Sequence, residues 1–165
     1  MRFQEEYFMT QAIRDIMTRD VLSVQPDTTL RDAAQLLKTK DIGSVPVVQG
    51  RKIAGILTDR DIAIRAVAEG RDPGSTRVSD VMSKDVVTVR EDADLQEAER
   101  LMHDHQLRRL PVTNAQSELV GYLAMAKVAR TESPEQTGRV LQGVSQASKP
   151  DPMESFDSKR RQKAV

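Results

Sequence analysis

The chain has no cysteine in its 165 residues, which removes disulfides, thiolate metal sites and thiol catalysis together. It has no excess of either charge. The 25 Lys and Arg balance the 25 Asp and Glu, so no overall field draws it to nucleic acid or to an anionic membrane. Long apolar runs are missing too. No stretch approaches membrane-spanning length, and the first residues, with Glu5 and Glu6, lack the apolar core of a signal peptide. No nucleophile–base pair or metal-ligand cluster stands out, so an enzyme is not expected. These absences predict a soluble, cytoplasmic protein of one domain or two small coupled ones.

What is present is a regular alternation of short elements. Residues 1–16 read as a lead-in helix with a partial apolar stripe of Phe3, Tyr7, Phe8 and Ala12. A short strand at 21–24 ends at Pro26, and a helix starts near Thr29. In it Leu30, Ala33, Ala34 and Leu37 recur at the spacing of one buried face. The stretch DIGSVPVVQGRKIAGILTDRD, residues 41–61, then predicts strands at 45–48 and 53–57 around a turn at Gly50. Pro46 demotes the first to an edge strand or a strand start, and Gly55 inside the second marks a close approach by another group. A helix is expected over 61–69. It carries Ile62, Ala63, Ile64, Ala66, Val67 and Ala68, is apolar on more than one face, and so predicts burial against a second chain in a homodimer.

After a linker at 70–76 the pattern returns with a shift of 65. Ile13, Asp15, Ile16 and Met17 match Val78, Asp80, Val81 and Met82, and Asp20, Val21 and Val24 match Asp85, Val86 and Val89. Asp27, Leu30, Ala33 and Leu36 match Asp92, Leu95, Ala98 and Leu101, and Ile42 and Pro46 match Leu107 and Pro111. One inserted residue then makes the shift 66, so that Gly55 matches Gly121. Such a period means two copies of one supersecondary unit. Each copy reads strand–helix–strand–strand–helix, too small to bury its sheet alone, so the copies should pack on each other. The expected organisation is a lead-in helix and first repeat over 1–70, then a linker and second repeat over 71–130. A C-terminal helix follows over 131–144, starting at Ser133-Pro134 and stopped at Gly143. Residues 145–165 are polar, with a terminal basic cluster, and are expected to be a disordered tail.

Thr58 and Asp61 stand three apart at a helix start, beside free backbone N–H groups and the positive end of the dipole. That is a place to hold phosphate. The same pair also reads as a capping box that closes the helix and does nothing more.

The segments DIMTRDVLSV, DIGSVPVV and GILTDRDI, with DVMSKDVVTV, LRRLPV and GYLAMAKV in the second copy, resemble the cystathionine-β-synthase-type (CBS) domain. Two copies form a Bateman module, and the resemblance covers about residues 10 to 130. It implies an α/β (α+β) fold of two pseudo-symmetric repeats, each a small sheet with two packed helices. It also implies a regulatory role, with AMP, ADP or ATP bound as ligand in the cleft between the repeats, and no required cofactor. The alternative is a module with empty clefts that only mediates protein interactions, with an unknown effector protein as partner.

Within that resemblance Asp61 would accept bonds from the ribose diol, and Thr58 with the helix-start amides would serve the phosphate. Ile42, Val45 and Pro46, closed by Met82 and Val87, would line the slot for the base. The second copy departs from the pattern, with Ala124 and Lys127 in place of Thr58 and Asp61. Conversely Ser44 and Val45 match Arg109 and Leu110, with Arg108 just before, and an arginine in that place would reach the phosphate in the partner repeat's cleft. One copy reads ribose and the other supplies positive charge, which predicts one working site per chain. His103 and His105 share no helix face and match Lys38 and Lys40, so no metal is assigned to them.

Overall fold

The structure, a computed structural model, describes residues 11–130 together with Gly138 and Gln142. The lead-in helix expected over 1–16 falls mostly outside those residues. In the described part Ala12 is extended and the helix α1 covers only Ile13–Ile16. The expected C-terminal helix lies outside the described residues apart from Gly138 and Gln142, both helical, and the tail lies wholly outside them.

The first copy contains helix α2 (Leu30–Lys40), strands β1 (Ser44–Gln49) and β2 (Lys52–Thr58), and helix α3 (Asp59–Ile62), which runs into a π-helical turn at Ala63–Val67. The second contains α4 (Val78–Val81), β3 (Val89–Arg90), α5 (Leu95–Asp104), β4 (Arg109–Thr113), β5 (Leu119–Ala124) and α6 (Met125–Val128). Thr29 caps α2 by accepting the Asp32 N–H, and Asp94 caps α5 by accepting the Glu97 N–H. Both long helices end on a left-handed residue at the same repeat position, Asp41 (φ 51°) and Gln106 (φ 54°).

β1 and β2 form an antiparallel pair, and β4 and β5 form its counterpart. β3 runs parallel to β4. The equivalent strand expected at 21–24 is reduced to one bridge: Val24 donates to the Pro46 carbonyl at 3.0 Å and accepts from Val48 at 2.9 Å. Pro46 sits in β1 without breaking the β1–β2 ladder. Its carbonyl faces Val24, so its nitrogen also points away from β2, where a missing N–H costs no ladder bond.

Two hydrophobic cores result, and each is completed by a segment from the other copy. Val24, Leu30, Ala33, Leu37, Val45, Val47, Leu57 and Ala66 pack with Val78 and Val81. Val89, Leu95, Ala98, Met102, Leu110, Val112, Leu123 and Val128 pack with Ile13, Ile16 and Met17. The exchange is reciprocal down to the backbone. Ile13 and Arg14 donate to the carbonyls of Ala93 and Glu91, as Val78 and Ser79 donate to those of Thr28 and Pro26. Ser83 then exchanges both backbone bonds with Ile56, and Thr18 with Tyr122, all at 2.9 Å. This accounts for the two strand glycines. A Cβ at Gly55 would lie 2.7 Å from both Met82 Sδ and the Ser83 carbonyl oxygen, and one at Gly121 would strike Met17 Sδ.

The helix expected over 61–69 begins two residues earlier, because Thr58 is its N-cap. From Ala63 it widens into the π-turn, with the Ala68 N–H on the Ala63 carbonyl. Only Ala66 of that turn is buried, while Ile64 and Val67 are 49% and 71% exposed. Among the described residues no helix is long and apolar enough to cross a membrane.

Candidate functional site

The β2–α3 junction brings the first group of polar atoms together. Thr58 leaves the strand in extended conformation and its hydroxyl accepts the Asp61 N–H at 3.0 Å. Asp61 Oδ2 in return accepts the Thr58 N–H at 3.0 Å and the Thr58 hydroxyl at 2.8 Å. The capping box is therefore closed, an arrangement that stabilises a helix start by about 1 kcal/mol. Asp61 Oδ1 stands outside this box, 3.6 Å from Arg65 Nη1, and the Asp61 side chain is 12% exposed.

Next to this junction lies an open cleft of about 840 Å³ built by both copies. The first copy contributes Gly43, Ser44, Ile56, Thr58, Asp59 and Arg60, and the second contributes Gln106, Leu107, Arg108, Arg109, Tyr122, Ala124, Met125 and Ala126. Most of these are repeat equivalents: Ser44 and Arg109, Ile56 and Tyr122, Thr58 and Ala124. The cleft's lining includes three arginines, Arg60, Arg108 and Arg109, against a single acidic residue, Asp59. None of the three arginines forms an ion pair among the described residues. Unpaired cations sharing a cleft repel one another, and an oxyanion bound among them removes that repulsion while using the planar donor forks.

The residues singled out from sequence are distributed as follows. Ser44, Thr58, Arg108 and Arg109 line the cleft. Ile42 lines an adjoining pocket of about 440 Å³ that shares Gly43 and Asp59 with it. Asp61 is not itself a lining residue of the cleft, but it is bonded to Thr58, which is. Val45 is fully buried in the first core and Pro46 is buried beside it. Met82 and Val87 are half-buried, packed on the first and second cores respectively. Arg60, Ile56 and Tyr122 are cleft residues that reading the sequence overlooked. Arg60 stands between Thr58 and Asp61 and has Ala126 as its counterpart, a contrast between the copies as sharp as the one that drew attention to Arg109. Among the described residues no group of three or more His, Asp or Glu side chains is placed to hold a metal ion.

Comparison with known proteins places this geometry. The family profile described as the CBS domain matches residues 13–67 and 78–132. The CBS domain-containing protein YhcV of Bacillus subtilis is 42% identical over 135 residues, which are 81% of this chain and 95% of that protein. The crystal structure of Hypoxic Response Protein I, with two coordinated zinc ions, superposes with a TM-score of 0.68 at 36% identity, covering 74% of this chain and 99% of that one; a protein of that name is known from Mycobacterium tuberculosis. CBSX2 in complex with AMP, a CBS-pair protein of Arabidopsis thaliana, superposes with a TM-score of 0.64 at 28% identity over 73% of this chain and 94% of that one. Some relatives are much longer. The chain spans 28% of an inosine-5'-monophosphate dehydrogenase of Methanocaldococcus jannaschii.

Proposed function

Given that the chain belongs to the CBS domain family, as a tandem pair of such domains, we propose that it is a regulatory module that binds an adenine nucleotide in the cleft between its copies. The observation that carries the reading is the set of three arginines, none ion-paired among the described residues, that line one cleft with Thr58 of the closed helix start. Arg60, Arg108 and Arg109 bind the phosphate, and the apolar side chains of Ile56 and Leu107 with the Tyr122 ring flank the base. Asp61 offers Oδ1 to the ribose diol, since Oδ2 is already committed to Thr58. That CBSX2 forms a complex with AMP supports an adenylate as the ligand. The protein binds its nucleotide without transforming it and passes the signal to a partner protein. Titration calorimetry with AMP, ADP and ATP is expected to give one nucleotide per chain; two equivalent sites, or ATP consumed by the pure protein, would contradict the reading.

A second reading has its own support. The capping box between Thr58 and Asp61 is complete without any ligand, as it would be in a module that only mediates interactions. In that case nucleotides would leave the melting temperature unchanged.

The same module is proposed to work as a homodimer. Ile64 and Val67 project from the π-turn, and a matching turn from a second chain would cover them. Light scattering at micromolar concentration is expected to give twice the chain mass, and Val67→Asp to give a monomer. A wild-type monomer would refute this.

A further inference from the structure

The two hairpins meet at their turns, at the end of the strands away from the cleft. Leu119 donates to the Arg51 carbonyl at 2.9 Å, and Arg51 Nε lies 3.3 Å from Glu118 Oε1. A small pocket of about 210 Å³ is lined by Ile53 of the first copy and by Lys84, Val86, Thr88, Thr113 and Ser117 of the second. It shares no lining residue with the cleft. Lys84, Val86 and Thr88 alternate along the segment that leads into β3, while Val87 between them packs on the second core. Thr113 ends β4 and is only 6% exposed. The other buried polar residue, Thr76, gives its hydroxyl to the Asp72 carbonyl at 2.7 Å. The Thr113 hydroxyl makes no hydrogen bond among the described residues, and it is not sealed from solvent. Its repeat counterpart is Val48, equally buried and at the same bulge of its hairpin. Valine has the shape of threonine without the hydroxyl, so the fold accepts an apolar side chain at this position. A hydroxyl buried there without a partner only destabilises. Lys84 likewise forms no ion pair among the described residues, and no acidic residue lines the pocket.

We propose that this pocket binds a tetrahedral oxyanion, inorganic phosphate or sulfate. Lys84 supplies the charge, and the hydroxyls of Thr88, Thr113 and Ser117 donate to the oxygens. Four donor groups suit four oxygens, whereas a planar carboxylate offers two. The volume lies below the range of pockets that enclose larger organic ligands, which fits a small ion. The site is independent of the nucleotide reading. The first copy has Val48 where Thr113 stands, so the pocket has no equivalent hydroxyl on the other side of the module.

Two-dimensional amide NMR of the full chain, at constant ionic strength, tests this with sodium phosphate, sodium sulfate and sodium acetate. Phosphate and sulfate are expected to move the Thr88, Thr113 and Ser117 amide signals along a saturable curve. Acetate should need roughly tenfold more, the effect of losing two hydrogen bonds. Phosphate drawn to the arginine cleft would move Ser44 and Arg109 instead, so the two sites are read separately. Thr113→Val, which installs the first copy's residue, should weaken phosphate binding about two- to tenfold. It should also raise the melting temperature in phosphate-free buffer, because the unpartnered hydroxyl is gone. Thr113→Ser keeps the hydroxyl and should bind phosphate as the wild type does. Lys84→Gln should lose the saturable response. A lower melting temperature for Thr113→Val without phosphate would give the hydroxyl a structural role and overturn the assignment. So would pocket signals that stay still in the wild type, that move equally in Lys84→Gln, or that respond to acetate as strongly as to phosphate.

Discussion

Truncation of Ile13 to alanine is expected to destabilise the protein by about 2–5 kcal/mol, the range for removing a large aliphatic side chain from a packed interior. Ile13 is fully buried and belongs to the core built from Val89, Leu95, Leu110 and Leu123. The damage is therefore expected in the second copy, though Ile13 stands at the head of the first. Hydrogen exchange should show β4 and β5 losing protection before β1 and β2, with urea unfolding giving the total loss. Val78→Ala should reverse the order, since Val78 is fully buried in the other core. Loss of protection confined to the copy that carries each substitution would disprove the exchange of segments.

Asp61→Ala and Arg109→Ala are expected to separate the two halves of the ligand. Removing a charged acceptor or donor from a ligand contact costs about 1.5–3 kcal/mol, or roughly 10- to 150-fold in affinity. Asp61→Ala should weaken AMP and adenosine alike, because both carry the ribose diol. Arg109→Ala should weaken AMP and leave adenosine nearly unchanged. Arg60→Ala and Arg108→Ala should behave as Arg109→Ala does, since all three line the same cleft. Asp61→Ala also opens the capping box, with an expected stability loss of about 1 kcal/mol, so melting curves must accompany the titrations. Equal losses for adenosine and AMP on Arg109→Ala would remove the arginine from the phosphate.

The repeat was legible because its period is long and its matched residues are of the kinds that geometry demands. Leu30, Ala33 and Leu37 fall on one helix face, and all three are buried. Gly55 marked a close approach in the sequence and Gly121 is its repeat match, and the structure shows what approaches each: the methionine and the next residue of the other copy's lead segment. The identity of that neighbour was not legible. Periodicity tells which face of an element is buried but not which core receives it, so the cores that Ile13 and Val78 enter were not legible. The π-turn was missed for a related reason, since an i, i+4 apolar pattern does not distinguish one widened turn from regular helix. Thr58, Arg108 and Arg109 were legible as cleft residues from the mismatch between copies. Arg60 was hidden between two residues that drew the attention.

The exchanged segments also set an order of assembly on a chain that emerges from its N-terminus. The core of the first copy needs nothing beyond Val81, so it can close as soon as the first half and a short piece of the second are available. Ile13, Ile16 and Met17 belong to a core whose other members run from Val89 to Val128, and they must wait for all of it. Closing so long a span is slow compared with local contacts. Ile13, Ile16 and Met17 therefore have no completed core to enter until most of the chain has been made.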